Sequence, residues 1–335
     1  MLNNIKIAGR KIGEGEPCFI IAEAGSNHDG KLDQAKRLIE IAAEAGADAV
    51  KFQSFKASNL FQNLKTVKLL EKLELKEEWY EELFDHAKKH KIILFFSVFD
   101  EETLKTIEKF PIPAYKIASY ELMHFPLLES VSNTKKPVII STGMANYNEV
   151  EETVDYLLSK RNNNLVILHC VSQYPTEPKN VNLKSILSLK EFGVPVGFSD
   201  HTLGIHAPTA AVALGANVIE KHFTIDRNLE GPDHSYALEP SELKEMIMHI
   251  REVEEMLGEN NITPSTPEID ERKWRRAVYA KTDIPRMQII GKEDLIVLRP
   301  SPDGSIPPTE INHIIGRKTY SDIFKGDLIR RDMLK

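Results

Sequence analysis

Eight short apolar runs in this chain each end on a side chain able to bind an ion or move a proton. FIIAE closes on Glu23, DAVKFQ carries Lys51 and Gln53, ILFFS reaches Ser97, and AYKIASYE holds Lys116, Ser119 and Glu121. VIIST ends at Ser141 and Thr142, VILHC leads into Tyr174, VGFSDH supplies Ser199, Asp200 and His201, and VIEKHF finishes at His222. His201 and His222 follow the last two runs and can share a divalent ion if those runs are neighbouring strands. Nitrogen plus oxygen ligation suits Mn2+, with Mg2+ or Co2+ as alternatives. Lys51 and Lys116 are costly to bury unless they are paired or bound to an anion. A phosphate flanked by Ser119, Ser141 and Ser199 fits that need. Ion pairs Lys51–Glu23 or Lys116–Glu121 would meet it without a ligand, and a lysine of depressed pKa would be a Schiff-base nucleophile instead. Glu23, Glu121, Asp200 and Asp233 supply carboxylates for sugar hydroxyls or proton transfer. Asp233, following Pro232, also reads as a plain turn residue.

Between the runs lie stretches of helical periodicity, so the order is strand, helix, strand, helix, eight times. Near-continuous Val/Ile/Phe runs mark parallel strands buried on both faces. Polar groups at the carboxyl ends of such strands mark the active-site face of a (β/α)8 TIM barrel. The expected barrel covers residues 1–257. Its first strand runs from about Cys18 to Ala24, and its first helix from Leu32 to Ala45 is stopped by Gly46. The helix after the fifth strand is expected to start near Asn148, with Glu151 completing a capping box. The eighth strand ends near Phe223, and Pro240 to Leu257 makes the last barrel helix. Residues 258–272 are polar and carry two prolines, as an extended linker would. Residues 273–335 turn to short β-like pieces punctuated by Pro and Gly, a small β-rich domain.

Composition narrows the function classes. A formal net charge of −7 argues against a nucleic-acid surface, although Arg272-Lys273-Trp274-Arg275-Arg276 is a short basic exception that suits a domain or subunit junction. No apolar run approaches a membrane span, and MLNNIKIAGRKIGEG has no apolar signal core, so a cytoplasmic protein is expected. Cys18 and Cys170 fall inside strands and read as buried reduced thiols. His169 beside Cys170 could belong to a soft metal site, but no CxxC or third sulfur supports it.

The segments FIIAEAGSNHDG, GADAVKFQ, PAYKIASYE, KPVIISTGM, VILHCVSQYPT, VGFSDHT, ALGANVIEKHFT and DRNLEGPDHSYALEP resemble the sialic acid (nonulosonic acid) synthases. The resemblance runs from about Pro17 to the C-terminus, and the tail looks like the SAF, or antifreeze-like, β-clip domain appended to these enzymes. It implies condensation of phosphoenolpyruvate with an N-acetylated amino sugar and release of phosphate. It further implies His201 and His222 as metal ligands. Lys51, Lys116, Ser119, Ser141 and Ser199 would lie around phosphoenolpyruvate. Glu23 and Gln53 would stand near the reacting carbons, and Glu121, Tyr174 and Asp233 would touch the sugar. Arg299, in VLRP of the tail, would reach the N-acetyl group in a partner subunit, which implies a domain-swapped homodimer. One departure stands out: the family's Ser-Thr-Pro-Phe after the third strand is Ser97-Val98-Phe99-Asp100 here, which removes a threonine hydroxyl unless Ser97 replaces it.

The sugar stays open between N-acetylmannosamine, a 2,4-diacetamido-2,4,6-trideoxymannose of the legionaminic type, and an altro-configured sugar of the pseudaminic series. Two readings from other classes remain beside these. One is a Schiff-base aldolase using Lys51 or Lys116. The other is a non-catalytic carbohydrate- or ice-binding protein working through its tail.

Overall fold

In a computed structural model, residues 4–160 and 162–335 are described; the first three residues of the segment read for a signal core lie outside that range. The chain opens with an antiparallel hairpin of β1 (Ile5–Ile7) and β2 (Arg10–Ile12), ahead of the first strand expected from the sequence. Its turn residues Ala8 and Gly9 have φ of 47° and 86°, as a two-residue connection matched to strand twist requires. Ile5, Ile7 and Ile12 are buried in the barrel's core cluster.

Eight parallel strands then close into a barrel. They are β3 (Phe19–Gly25), β4 (Ala49–Ser54), β5 (Ile93–Val98), β6 (Tyr115–Ile117), β7 (Val138–Ser141), β8 (Leu165–Cys170), β9 (Val196–Asp200) and β10 (Val218–His222). Each pairs with the next, and β10 pairs back onto β3. Helices cover the outer face, so strands such as β3 are buried at every position and show no polar alternation until their ends. Side chains still alternate between barrel interior and helix layer, and register does the rest. Glu23 lies opposite Lys51, Ser97 opposite Lys116, Ser199 opposite both Cys170 and Glu220, and His222 opposite Glu23.

The helix Leu32–Ala45 buries Leu38, Ile41, Ala42 and Ala45, and Gly46 at φ 88° ends it by donating to the Ala42 and Ala43 carbonyls. The helix after β7 spans Tyr147–Ser159 and is capped by Asn146 with Glu149 closing the box, two residues before the expected Asn148 and Glu151. Both pairs have the right spacing. The observed start sets Ala145 and Val150 at the positions of a hydrophobic staple, and both pack into the core. A start at Asn148 would put Tyr147 and the charged Glu152 there.

The chain divides into two compact units, Met1–Gly258 and Glu259–Lys335. The helix Pro240–Leu257 closes the first. In the second, a helix over Thr266–Glu271, with Ser265 and Glu268 forming its capping box, stands where an extended linker was expected. The capping signal SxxE outweighs the flanking prolines, one of which sits favourably in the first helical turn. β11 (Ala277–Ala280) and β12 (Leu295–Leu298) pair antiparallel, and the unit has its own core of Val278, Ile284, Ile290, Ile306, Ile323 and Ile329. Among the described residues no helix is long and apolar enough to cross a membrane.

Gly197 on β9 is held by close approach. A Cβ there would collide with the Val218 carbonyl oxygen and the Leu168 side chain, and backbone paired on both sides cannot yield cheaply. Gly197→Ala is therefore expected to lower stability by about 1–3 kcal/mol. Urea unfolding checks this; a midpoint equal to the parent's would show slack in the barrel that the geometry denies.

Candidate active site

The carboxyl ends of the strands surround a cavity of about 720 Å³. Glu23, Lys51, Gln53, Lys116, Ser119, Glu121, Ser141, Tyr174, Ser199, His201, His222 and Asp233 all line it. Arg299 belongs to the other unit, exposed just past β12.

Its floor is a cluster of buried charges. Lys51 Nζ lies 2.7 Å from Glu23 Oε2, donates to Ser97 Oγ at 2.6 Å, and stands 3.6 Å from Glu220 Oε2. Lys116 Nζ donates to the Ile117 carbonyl at 2.9 Å and lies 3.9 Å from Glu220 Oε1, which accepts from Ser199 Oγ at 2.8 Å. Burial pulls the pKa of Lys51 down, but Glu220 and Glu23 more than offset it, so its ammonium is firmly held. Lys116, with one distant carboxylate, stays below the ordinary lysine range because burial dominates. Burial raises both carboxylates. Lys116 and Lys51 overcome that for Glu220, which stays ionised, but not for Glu23, which rises well above the usual carboxylate range. Lys51 is thus committed to the protein, while Lys116 has donors to spare. The Ser141 and Ser172 hydroxyls are also buried without a protein partner.

The expected Lys51–Glu23 pair exists. The expected Lys116–Glu121 pair does not; Lys116 faces Glu220 instead. Glu121, on a turn after β6, keeps Oε2 buried and unpartnered and is pushed up to about 7 by burial, partly offset by Lys116. Glu220 was absent from the sequence-derived set, although it lies two positions before His222, a spacing that puts both on one strand face. The same alternation corrects Asp200. It is turned away from the mouth, where Lys221 donates to it at 2.5 Å and Thr202 N and Oγ1 at 2.9 and 3.0 Å. Val98, next to Ser97, packs in the core, so Ser97 alone serves Lys51 at that strand end. Asp100 caps the following helix, accepting from Glu102 N and Thr103 N.

His201 and His222 come together with ring centroids 5.4 Å apart. His201 Nδ1 meets the Val171 carbonyl at 3.0 Å; a carbonyl only accepts, so Nδ1 carries the proton and Nε2 keeps its lone pair. His222 Nδ1 is buried without a hydrogen-bond partner, 3.9 Å from Asp233 Oδ2. Burial, reinforced by His222, lowers the pKa of His201 to about 4, and burial, reinforced by Lys51, Lys221 and Lys116 against the opposing Glu220, lowers that of His222 to about 3. Both are neutral imidazoles with lone pairs to give. Tyr174 covers His201 at 4.3 Å between centroids, and Tyr236 donates to Asp233 Oδ1 at 2.7 Å. Asp233 is therefore a positioned cavity wall as well as a turn residue. His169 Nε2 bonds the Val181 carbonyl at 2.6 Å, and Cys18 and Cys170 are free and buried.

Comparison with known proteins identifies the family. The NeuB family profile matches residues 38–262, and the SAF domain profile matches residues 275–335. The N,N'-diacetyllegionaminic acid synthase of Legionella pneumophila is 41% identical, with 97% of each chain covered. The pseudaminic acid synthase of Campylobacter jejuni is 36% identical, covering 93% of this chain and 95% of its own. The crystal structure of the N-acetylneuraminic acid synthetase of Leptospira borgpetersenii in complex with citrate superposes with a TM-score of 0.78 at 37% identity, covering 81% of this chain and 95% of that one.

Close to the cavity, His28 is packed between Phe52 and Trp79, accepts from Gly30 N at Nδ1 (3.1 Å), and is held down to about pKa 4 by burial, slightly countered by Asp29. The unfolded chain, with a histidine pKa near 6.5, binds a proton that the folded chain refuses between those values. Stability is then full above about pH 6.5 and falls as pH drops towards 4, by on the order of 3 kcal/mol from this residue. Urea midpoints measured from pH 7.5 to 4.5 should show the fall, and His28→Gln should make it shallower by about one proton's share, leaving that of His201 and His222. An unchanged slope in that variant would mean the ring is not held neutral.

Proposed function

The chain belongs to the NeuB family and ends in a SAF domain, and from that premise we propose that it condenses phosphoenolpyruvate with an open-chain N-acetylated amino sugar, releasing phosphate and forming a nonulosonic acid. What carries this reading is the pairing, in one cavity, of an under-partnered Lys116 beside buried serine hydroxyls with two neutral imidazoles. The first suits an anion and the second a divalent cation.

Phosphoenolpyruvate would lie with its phosphate on Lys116 and the hydroxyls of Ser119, Ser141 and Ser199, with Lys51 behind. These groups act alike before and during reaction, so they mainly fix position. C3 of the enol attacks the sugar aldehyde carbon, and positive charge grows at C2. Water adds there, and the hemiketal phosphate collapses with C–O cleavage to phosphate and the keto acid. Glu23, protonated more readily than an ordinary carboxyl, would take a proton from that water or pass one to the new hydroxyl, with Gln53 lining the same cavity. His201 and His222, with free lone pairs and His222 Nδ1 lacking a partner, would give a divalent ion two nitrogens, and Asp233 and water would supply the oxygen ligands that suit Mn2+. When bound, such an ion supplies Lewis acidity for the aldehyde oxygen.

Glu121, Tyr174 and Asp233 would hold the sugar. Phe55, Leu60, Phe61, Leu70 and Phe99 give the cavity an apolar wall, which favours a 2,4-diacetamido-2,4,6-trideoxyhexose over N-acetylmannosamine; the altro-configured isomer is the alternative. Arg299 would complete the sugar site of a second copy in a domain-swapped homodimer, in keeping with its exposure. A phosphoenolpyruvate-consuming step also suits the cytoplasm. The depressed pKa of Lys116 favours one second reading, a Schiff-base aldolase, which borohydride trapping with a keto acid would reveal as a covalent adduct.

The deciding experiment incubates the protein with phosphoenolpyruvate, Mn2+ and each candidate sugar, scoring phosphate and product mass. Release only when both substrates are present is expected, and no release with any sugar would sink the reading. His222→Ala should lower turnover at least about 100-fold, and chelation should do the same to the parent. Activity that survives both would remove the metal from the account. Arg299→Ala should raise the sugar KM several-fold while leaving that of phosphoenolpyruvate nearly unchanged, whereas equal effects would refute a sugar contact.

A further inference from the structure

A second set of ligand-type side chains lies outside the barrel mouth, where the helix Leu32–Ala45 packs against the helix Trp79–Lys89. Glu40 comes from the first. His86 sits in the last turn of the second and His90 is its C-terminal cap residue. Four positions apart, the two histidines share one face, and their ring centroids are 4.6 Å apart. One ligand atom from each of Glu40, His86 and His90 lies within 4.8 Å of the other two. Two metal bonds of about 2.1 Å span about 4.2 Å, so a small rotation of partly exposed side chains closes the set. None of the three lines the cavity of the proposed reaction.

Hydrogen bonding explains only part of this arrangement. His86 Nε2 and Glu40 Oε1 meet at 3.1 Å, and Arg37 Nη1 donates to Glu40 Oε2 at 2.9 Å. That accounts for His86 and leaves His90 idle, its Nε2 buried with no partner. Arg37 also reaches Glu44 Oε1 at 3.2 Å, so it can release Glu40 and remain paired. Glu40 is held ionised below the usual range, by Arg37 first and then His86. With side-chain exposures of 29% for Glu40 and 16% for His86, the cluster can be reached from solvent yet is partly shielded from it.

We propose that Glu40, His86 and His90 form a second divalent-metal site, of the zinc class, completed by water and joining the first two barrel helices. Two imidazoles and a carboxylate with an open position are a ligand set this ion takes, and nitrogen-rich donation selects it over Mg2+ or Ca2+. Its role is structural: an ion bound only to the folded state raises stability by mass action.

The test titrates Zn2+ into the metal-stripped full-length chain against a chromophoric chelator. A His201→Asn, His222→Asn double variant removes the mouth site from the count. In that background one equivalent of Zn2+ is expected to bind and to raise the thermal unfolding midpoint by a few degrees. Adding His90→Gln should weaken this binding at least about tenfold, the loss that even an outer-shell partner causes, and abolish the midpoint rise. His86→Gln should do the same and guards against a folding defect particular to either variant. In the otherwise native chain, His90→Gln should leave phosphate release unchanged. A double variant that binds no Zn2+, or one whose binding survives both added substitutions, would overturn the proposal.

Discussion

One ammonium group, that of Lys51, sets the terms for the rest of this barrel. Buried charge costs several kcal/mol per ion unless it is closely paired, and Lys51 is nearly inaccessible. It survives there because β3, β4 and β10 are adjacent and in register, bringing Glu23 to 2.7 Å and Glu220 to 3.6 Å. Removing either carboxylate would leave two buried ammonium groups, Lys51 and Lys116, facing a single carboxylate, so the three strands and their charges form one unit. The pairing also separates two carboxylates that look alike in sequence. Glu220, served by both lysines and Ser199, stays ionised, whereas Glu23 is pushed towards its neutral form. A carboxyl able to hold or lose its proton near neutrality is what a step that adds water requires.

The two lysines divide the work for the same reason. Lys51 spends its donors on Ser97 and Glu23, while Lys116 makes one bond to its neighbour's carbonyl and stands 3.9 Å from Glu220. Lys51 is the fixed counter-charge and Lys116 the available one. A multiply charged anion settling on Lys116 would oppose ionisation of Glu23 nearby, so anion binding and the proton on Glu23 are linked. Substrate entry itself would then shift Glu23 towards its protonated form, and release of phosphate would shift it back.

Much of this was legible in the sequence because parallel strands sealed on both faces must be apolar until they reach the mouth, where the first polar residue is conspicuous. That logic located Glu23, Lys51, Lys116, Ser199 and His222, and the closure of the sheet brought the ends of β9 and β10 together. It failed where alternation within a strand mattered more than position along it. Glu220 sits inside an apolar run yet faces the cavity, and Asp200 sits at a strand end yet faces Lys221. Reading VIEKH and VGFSD with a period of two separates inward Glu220, His222 and Ser199 from outward Lys221 and Asp200. The hairpin β1–β2 was missed because three-residue strands carry little pattern. Its Ile5, Ile7 and Ile12 around an Ala-Gly turn were nevertheless a signal. The helix start at Asn146 hinged on which of two NxxE spacings had apolar flanks, a packing question.

The same contrast between strands and loops separates the reaction from its sugar. Phosphoenolpyruvate would meet groups rooted in barrel strands or in the turns next to them, whose positions follow from register and closure. The sugar would meet Glu121, Tyr174 and Asp233, together with an apolar wall drawn largely from the connection between β4 and β5. That connection has its own small core of Phe55, Ala57 and Val67, with Leu60, Leu70 and Leu73 packed on it, apart from the main one. It can change residue by residue without disturbing the strand charges beneath it. Relatives named for different nonulosonic acids, all between a third and a half identical to this chain, are what such a division would produce. On the proposed reaction, a fixed ionic floor would set the bond that is made, and an exchangeable apolar wall would set which sugar reaches it.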